Sequence, residues 1–119
     1  MSDILQANVP ASTVTLLASA ARTATASAAG VSGFAAANNL VLQLNVTAAS
    51  GTTPTLDVVV QDTVDGTNYG TIATFTQATG TTKEVIRLAT PFTDTLRVVY
   101  TIGGVTPSFT FSVLTYADA

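Results

Sequence analysis

From Leu40 to Thr47 of this chain, Leu40, Leu42, Leu44 and Val46 occupy every second position, and three of the four residues that alternate with them are polar. The same period of two returns from Leu56 to Gln61 and from Leu96 to Thr101. A period of two directs successive side chains to opposite faces of a β-strand, so one face of each segment is expected to be buried. The pattern therefore predicts half-buried strands rather than amphipathic helices.

Turn-forming residues separate the alternating segments. Ser50–Pro54 separates the first alternating segment from the second. Asp65-Gly66 and Gly103-Gly104 each predict a hairpin, and Pro91 is expected to end another strand. The candidate strands are residues 13–18, 22–27, 40–47, 56–61, 69–76, 83–88, 96–101 and 108–115. No interval between them is long enough for the crossover helices of a parallel sheet. We therefore predict an all-β protein of about eight antiparallel strands, a β-sandwich or a jelly-roll-like fold.

The N-terminal third is less regular. Residues 1–12 lack periodicity and contain Pro10, so we expect an extended arm, followed by a single β-sandwich domain over residues 13–119. Residues 18–38 are rich in Ala, a helix former, but show no apolar stripe at helical spacing. We favour strand and loop there, with a helix as the alternative. Phe109, Phe111 and Tyr100 are expected to form the aromatic part of the core.

Composition excludes most catalytic chemistry. The 119 residues include no Cys and no His, which removes thiol nucleophiles, disulfides, imidazole catalysis and zinc sites built from those ligands. The one lysine, Lys83, lies beside Glu84, which does not suggest a Ser–Lys pair. The spacing of Asp57, Glu84 and Asp94 brings no two carboxylates together for glycoside hydrolysis. We predict a protein that is not an enzyme and uses no cofactor.

Charge and hydroxyl content describe the surface. Four Lys and Arg stand against seven Asp and Glu, with no basic cluster, so nucleic-acid binding is not expected. The 23 Thr and 8 Ser supply much of the polar surface, and hydroxyls are cheaper to desolvate than charges. This favours a subunit packed among neighbours, with a free Thr-rich domain as the alternative. Asp3 stands where a signal peptide needs a cation, and no apolar run approaches the roughly 20 residues of a membrane span, so neither secretion nor a membrane location is expected.

Two groups of residues are candidates for contacts. Asp65, Asn68 and Tyr69 lie in or beside one predicted hairpin loop and are candidate loop contacts. Asp62, Asp65 and Asn68 also offer oxygen ligands for calcium. The spacing does not match a calcium loop, so we predict an ordinary turn and no metal. The scarce arginines Arg22, Arg87 and Arg97 are candidate interface anchors, with sheet-face salt bridges as the alternative.

Several segments resemble small virion structural proteins of tailed bacteriophages. They are residues 15–25 (TLLASAARTAT), 44–52 (LNVTAASGT), 54–62 (PTLDVVVQD) and 106–113 (TPSFTFSV). The resemblance covers most of residues 13–115, and its motifs consist of strand and turn residues. It implies a non-enzymatic component of the virion.

Among virion components, the chain most resembles a capsid decoration, or cement, protein in its size and its expected arm. Such a protein binds the outside of the head, contacts the major capsid protein and stabilises its subunit contacts, commonly as a dimer or trimer. We expect the arm, through Ile4, Leu5 and Val9, to order on the capsid or on a neighbouring subunit.

The alternative is a tail, head–tail connector or fibre component that binds a host glycan or receptor. Asp65, Asn68, Tyr69 and Tyr116 are the side chains suited to a glycan. A bacterial pilus or adhesin subunit is a more distant third reading.

Overall fold

The computed structural model describes residues 12–89 and 91–118, and within them it contains strands and no helix. The strands are β1 (Ser12–Arg22), β2 (Ala26–Ser27), β3 (Val31–Ser32), β4 (Asn39–Thr63), β5 (Tyr69–Thr74), β6 (Thr82–Leu88) and β7 (Thr95–Asp118). All their pairings are antiparallel and belong to one sheet. The prediction of an all-β antiparallel protein is confirmed.

Two long strands form the centre of this sheet. β4 and β7 pair along their whole lengths, from Asn39 opposite Asp118 to Thr63 opposite Thr95. β6 and β1 flank one end of the pair, and we call this the first half of the sheet: β6, residues 39–50, residues 108–118 and β1. β5, β2 and β3 flank the other end, the second half: β5, residues 55–63, residues 95–103, β2 and β3.

The two halves meet at residues 51–54 of β4 and 104–107 of β7, which we call the corner. The register of β4 against β7 shifts on both sides of the Thr52–Val105 pair. Gly51 and Gly104 have φ of 112° and 115°, and a Cβ at either would lie 2.8 Å from a carbonyl oxygen of the opposite strand. Glycine is therefore required here both for its backbone conformation and for the close approach of the two chains.

The corner corrects two predictions. Ser50–Pro54 does not end a strand, and Gly103-Gly104 does not form a hairpin, because β4 and β7 continue through these residues. Each long strand thus contains two of the predicted strands, and β2 retains only Ala26–Ser27 of the predicted strand at 22–27. The described residues form seven strands instead of about eight.

Local turn chemistry is repeated at the corner. The segments read GTTP at residues 51–54 and GVTP at residues 104–107. Thr53 and Thr106 both have a φ of 45°, so the two segments have matching backbone conformations as well as matching sequences. The two sides of the corner are therefore related by an approximate two-fold arrangement about the Thr52–Val105 pair.

The inward faces of both halves contribute to one hydrophobic cluster. Tyr100 from the second half contacts Phe111 from the first edge to face, with ring centroids 5.3 Å apart. Phe109 and Phe111 are fully buried and Tyr100 nearly so, which confirms the predicted aromatic core. Other members of the cluster are Leu40, Leu42, Leu44, Val46, Leu56, Val58, Val60, Leu96, Val98 and Val113.

Other local predictions can also be compared with the structure. Residues 18–38 contain strand and loop, as favoured. Asp65-Gly66 lies in a hairpin between β4 and β5, and Gly66 has the expected positive φ of 81°. Ser12, assigned to the arm, is the first residue of β1. The remaining arm residues, 1–11, and with them Ile4, Leu5 and Val9, lie outside the described residues.

Candidate functional site

Arg22 lies at the margin of the hydrophobic core. Its Nη1 donates to the carbonyl oxygens of Phe111 at 2.9 Å and Ala20 at 3.1 Å, and its Nη2 donates to that of Ala18 at 2.7 Å. The guanidinium carbon is 5.0 Å from the centroid of the Phe111 ring and 5.7 Å from that of Tyr100. Ala18 falls where the pairing of β1 with β7 shifts register, so Arg22 satisfies backbone acceptors at this irregularity. These contacts give Arg22 a structural role, and its expected role as an interface anchor stays a prediction.

Arg97 lies on the outer face of the second half, where it meets a residue from the other predicted group. Its guanidinium carbon lies 3.7 Å from the centroid of the Tyr69 ring. Its Nε donates to Oε1 of Gln61, directly opposite on β4, at 3.0 Å, and Nε2 of Gln61 donates to Oγ1 of Thr71 at 3.4 Å. We call Arg97, Tyr69, Gln61 and Thr71 the Arg97–Tyr69 cluster.

Strand register explains how this cluster forms. Gln61 pairs with Arg97 on one side and with Thr71 on the other, while Thr63, two residues further along β4, pairs with Tyr69. Residues two apart on a strand share a face, so all these side chains project from the same side of the sheet. Diagonal neighbours of this kind lie within reach of long and aromatic side chains.

The hairpin loop beside Tyr69 is held by its own polar groups. Oδ1 of Asp65 accepts the backbone N–H groups of Asn68 and Thr67, each at 2.8 Å, and Nδ2 of Asn68 donates to Oδ2 of Asp65 at 2.8 Å. Oγ1 of Thr63 donates to the carbonyl oxygen of Asn68 and accepts the N–H of Gly66. The hydrogen bonds that Asp65 accepts, above all the one from the backbone N–H of Asn68, hold the pKa of its carboxyl group well below the ordinary value.

This arrangement limits what the loop can bind. The carboxylate of Asp65 and the amide of Asn68 bond each other, so they are engaged within the loop. Across the described residues, no three His, Cys, Asp or Glu side chains gather as a metal site would need. The loop has the hydrogen bonding of an ordinary Asx-type turn, which stiffens the start of β5.

Most other carboxylates in the described residues also bond neighbouring groups. Asp62 accepts the N–H and hydroxyl of Thr93, Asp94 accepts the N–H of Ala35, and Glu84 accepts the N–H of Thr76. Asp57 accepts the side-chain amide of Gln77. The acids considered for glycoside hydrolysis therefore each bond a separate turn or loop residue.

Arg87 is exposed on β6, an outer strand of the first half, with Val85 and Lys83 on the same face. It pairs with Val41 on β4, whereas Arg22 lies on β1 and Arg97 on β7. The structure thus brings Arg97 together with Tyr69, and Arg22 together with the core rings Tyr100 and Phe111, although the sequence singled these residues out for different reasons.

A second outer surface was not predicted from the sequence. Val85, Gln43 and Leu114 lie side by side on neighbouring strands, and Arg87, Val41 and Tyr116 form the next row. Tyr116 is 44% exposed and Val85 41% exposed. The alternation that places Leu40, Leu42 and Leu44 on the inner face also places Val41 on the outer face. This pattern could have indicated the outer surface from the sequence. The sequence analysis did not identify Gln61 because its hydrogen bonds to Arg97 and Thr71 depend on which strands lie next to β4.

Comparison with known proteins adds no family to this description. No protein-family model matches the chain, and no curated protein matches it. Within the part of the chain that the structure describes, no helix has the length and apolar character needed to cross a membrane.

Proposed function

We propose that this chain is a non-enzymatic virion structural protein of a tailed bacteriophage, and specifically a capsid decoration protein. It binds the outside of the head and stabilises contacts between major capsid protein subunits, as a dimer or trimer at the symmetric positions of the shell. Its location is the capsid surface. The sequence segments that resemble phage virion proteins support the phage context, and the outer surface of the sheet supports the structural role.

The largely apolar outer face of the first half is the observation that carries this proposal. Val41, Leu114 and Tyr116 lie together there, with Val85 on the neighbouring strand and Gln43 as the polar member between them. Arg87 pairs with Val41 at the edge of this surface. Covering the surface removes apolar area from water, which favours association, and Arg87 can pair with an acidic group of the neighbour. A subunit that binds assembled neighbours but not their dissociated forms stabilises the assembly by mass action.

We also infer that the sheet folds over into a β-sandwich. β4 has 25 residues, and a straight strand of that length would span about 80 Å, whereas the longest extent is 54 Å. The bend at the corner, the shared hydrophobic cluster and the contact of Tyr100 with Phe111 support two halves that face each other. A sandwich leaves both outer faces free for neighbours.

The glycan-binding alternative has weaker support. Asp65 and Asn68 bond each other, and Arg97 covers one face of the Tyr69 ring. Glycan sites rely on free amides, free acids and open aromatic faces, of which Tyr116 is the remaining candidate. The tail or fibre assignment therefore serves as the competing outcome of the experiment below.

The test is a binding experiment with phage heads. Heads purified from a phage whose copy of this gene is deleted are mixed with the purified chain, and bound copies are counted by quantitative gel densitometry. Saturation at a multiple of the number of icosahedral asymmetric units is the expected result. Binding of only a few copies per particle, binding to host cells alone, or no binding would contradict the capsid assignment.

A further inference from the structure

The Arg97–Tyr69 cluster contains a guanidinium whose donors are only partly used. Stacking on Tyr69 engages the face of the planar group, and Gln61 engages its Nε edge. Within residues 12–89 and 91–118, no acceptor takes a hydrogen bond from Nη1 or Nη2 of Arg97. Because stacking leaves the edge of a guanidinium free, these two nitrogens are available to an external acceptor.

The cluster also fixes the position of this guanidinium. Arg97 is half-buried, with its plane against Tyr69 and one nitrogen bonded to a residue on the adjacent strand. A side chain that is already ordered loses less conformational freedom on binding than a free arginine does. Arg22 shows the contrasting case, since its Nη atoms donate to three backbone carbonyl oxygens.

We propose that the Arg97–Tyr69 cluster is a binding site for a single carboxylate, supplied by an acidic side chain of a protein partner. The carboxylate accepts two parallel hydrogen bonds from Nη1 and Nη2 in the plane of the guanidinium. Paired bonds of this geometry combine strength with orientation. Tyrosine and arginine together are also the residues most often found where protein interfaces concentrate their binding energy.

The distribution of charge favours a carboxylate on a protein over a polyanion. Of the four cations, Arg22 is occupied by backbone, and Lys83 and Arg87 lie on β6 in the other half of the sheet. One isolated guanidinium on a chain of net charge −3 matches one anionic group, whereas nucleic-acid affinity needs many phosphate contacts. The carboxylates of Asp57, Asp62 and Asp65 are bonded elsewhere, which leaves Arg97 to a partner.

This inference is independent of the capsid assignment, because it can be tested on the isolated chain. The probe is the peptide acetyl-Ala-Glu-Ala-amide, titrated into ¹⁵N-labelled protein while the Nε–Hε signals of the arginines are followed by NMR. We expect a saturable shift of the Arg97 signal and of the Gln61 side-chain amide. The matching peptide with Gln in place of Glu should leave both signals unmoved.

Two variants and one control identify the cause of the shift. Arg97→Lys keeps the charge but loses the fork, and Tyr69→Leu removes the stacking surface; each should weaken peptide binding about fivefold or more. Arg87→Lys, on the other half of the sheet, should leave it unchanged. Amide spectra of each variant confirm that it is folded.

Three results would overturn the proposal. An Arg87 signal that shifts as much as Arg97 would mean unspecific ion pairing. An Arg97→Lys variant that binds as tightly as the original chain would remove the role of the fork. Saturable binding of inorganic phosphate without binding of the Glu peptide would make the site one for phosphate and not for a carboxylate.

Discussion

Arg22 and Arg97 both lie over aromatic rings, yet they differ in what their nitrogen atoms bind. Arg22 contacts two rings of the core and donates to carbonyl oxygens of Ala18, Ala20 and Phe111. Arg97 contacts Tyr69 on the outer face and bonds one side-chain oxygen. The comparison teaches that a scarce arginine can hold a fold together or face a partner, and that its acceptors distinguish the two roles.

The rings beneath the two arginines should give the largest contrast. Phe111→Ala should lower the free energy of unfolding by about 3–5 kcal/mol, because it opens a cavity in a fully buried position and removes the surface under Arg22. Tyr69→Ala, on the outer face, should cost about 1 kcal/mol. Urea unfolding of both variants measures the difference. Equal losses would contradict the separation into a core arginine and a surface arginine.

Replacement of Arg22 itself should have the next largest effect. Arg22→Gln removes charged donors from three carbonyl oxygens, and we expect a loss of about 2 kcal/mol in unfolding free energy. Arg87→Gln is the matched control on an exposed position and should change stability by less than about 0.5 kcal/mol. If the two substitutions had the same effect in chemical denaturation, the structural role of Arg22 would be wrong.

On the inner face, a buried hydroxyl without a hydrogen-bond partner should lower the free energy of unfolding. The hydroxyl of Thr115 is fully buried and has no hydrogen-bond partner among the described residues, in contrast to the guanidinium of Arg22, whose nitrogens bond three carbonyl oxygens. Thr115→Val keeps the branched shape and removes that hydroxyl, so it should raise the unfolding free energy by about 1 kcal/mol. A clear loss of stability in the same denaturation assay would instead mean that the hydroxyl is satisfied.

On the outer face, the stability that Asp65 gives to the hairpin loop before Tyr69 should depend on pH. Its hydrogen bonds hold the pKa of Asp65 below the unfolded value, so ionised Asp65 stabilises the fold above about pH 4. That contribution is lost as the pH falls through the lowered pKa of the folded state. Asp65→Asn should therefore be less stable than the original chain at pH 7, and the gap should narrow below about pH 4. A gap that stays constant down to about pH 2 would argue against this loop structure.

The smallest stability effect is expected at Arg97. Arg97→Lys retains the charge and should lower the unfolding free energy by less than about 0.5 kcal/mol, since the surrounding strands pair without it. Thermal and urea unfolding check this expectation. A loss as large as that of Arg22→Gln would assign Arg97 a structural role and remove the contrast on which the binding proposal depends.

Local patterns were sufficient to predict much of the sheet. The alternation around Leu42, Val58 and Val98 correctly identifies strands and their buried faces, because burial of one face is a property of the strand itself. The corner could not be predicted in this way. Gly51 and Gly104 carry the same chemistry whether a chain reverses or two paired strands continue with a shift of register, and only the long-range pairing of β4 with β7 separates these outcomes.

The candidate sites show the same limit. Arg97 and Tyr69 were each singled out from the sequence, but their contact depends on the alignment of β7, β4 and β5. The acceptors of Arg22 are backbone oxygens, which every residue carries, so no side-chain pattern indicates them. Sequence reasoning therefore found individual residues, whereas their roles depended on strand neighbours.

Cryo-electron microscopy of phage heads reconstituted with the purified chain would test the account most directly. We predict the chain at every equivalent site on the outside of the shell, with the outer face of the first half against a neighbouring subunit, the Arg97–Tyr69 cluster against an acidic side chain of a protein partner, and Arg22 bonded to its own backbone. Heads that carry no bound chain, or a bound chain whose Arg97 faces open solvent, would contradict it.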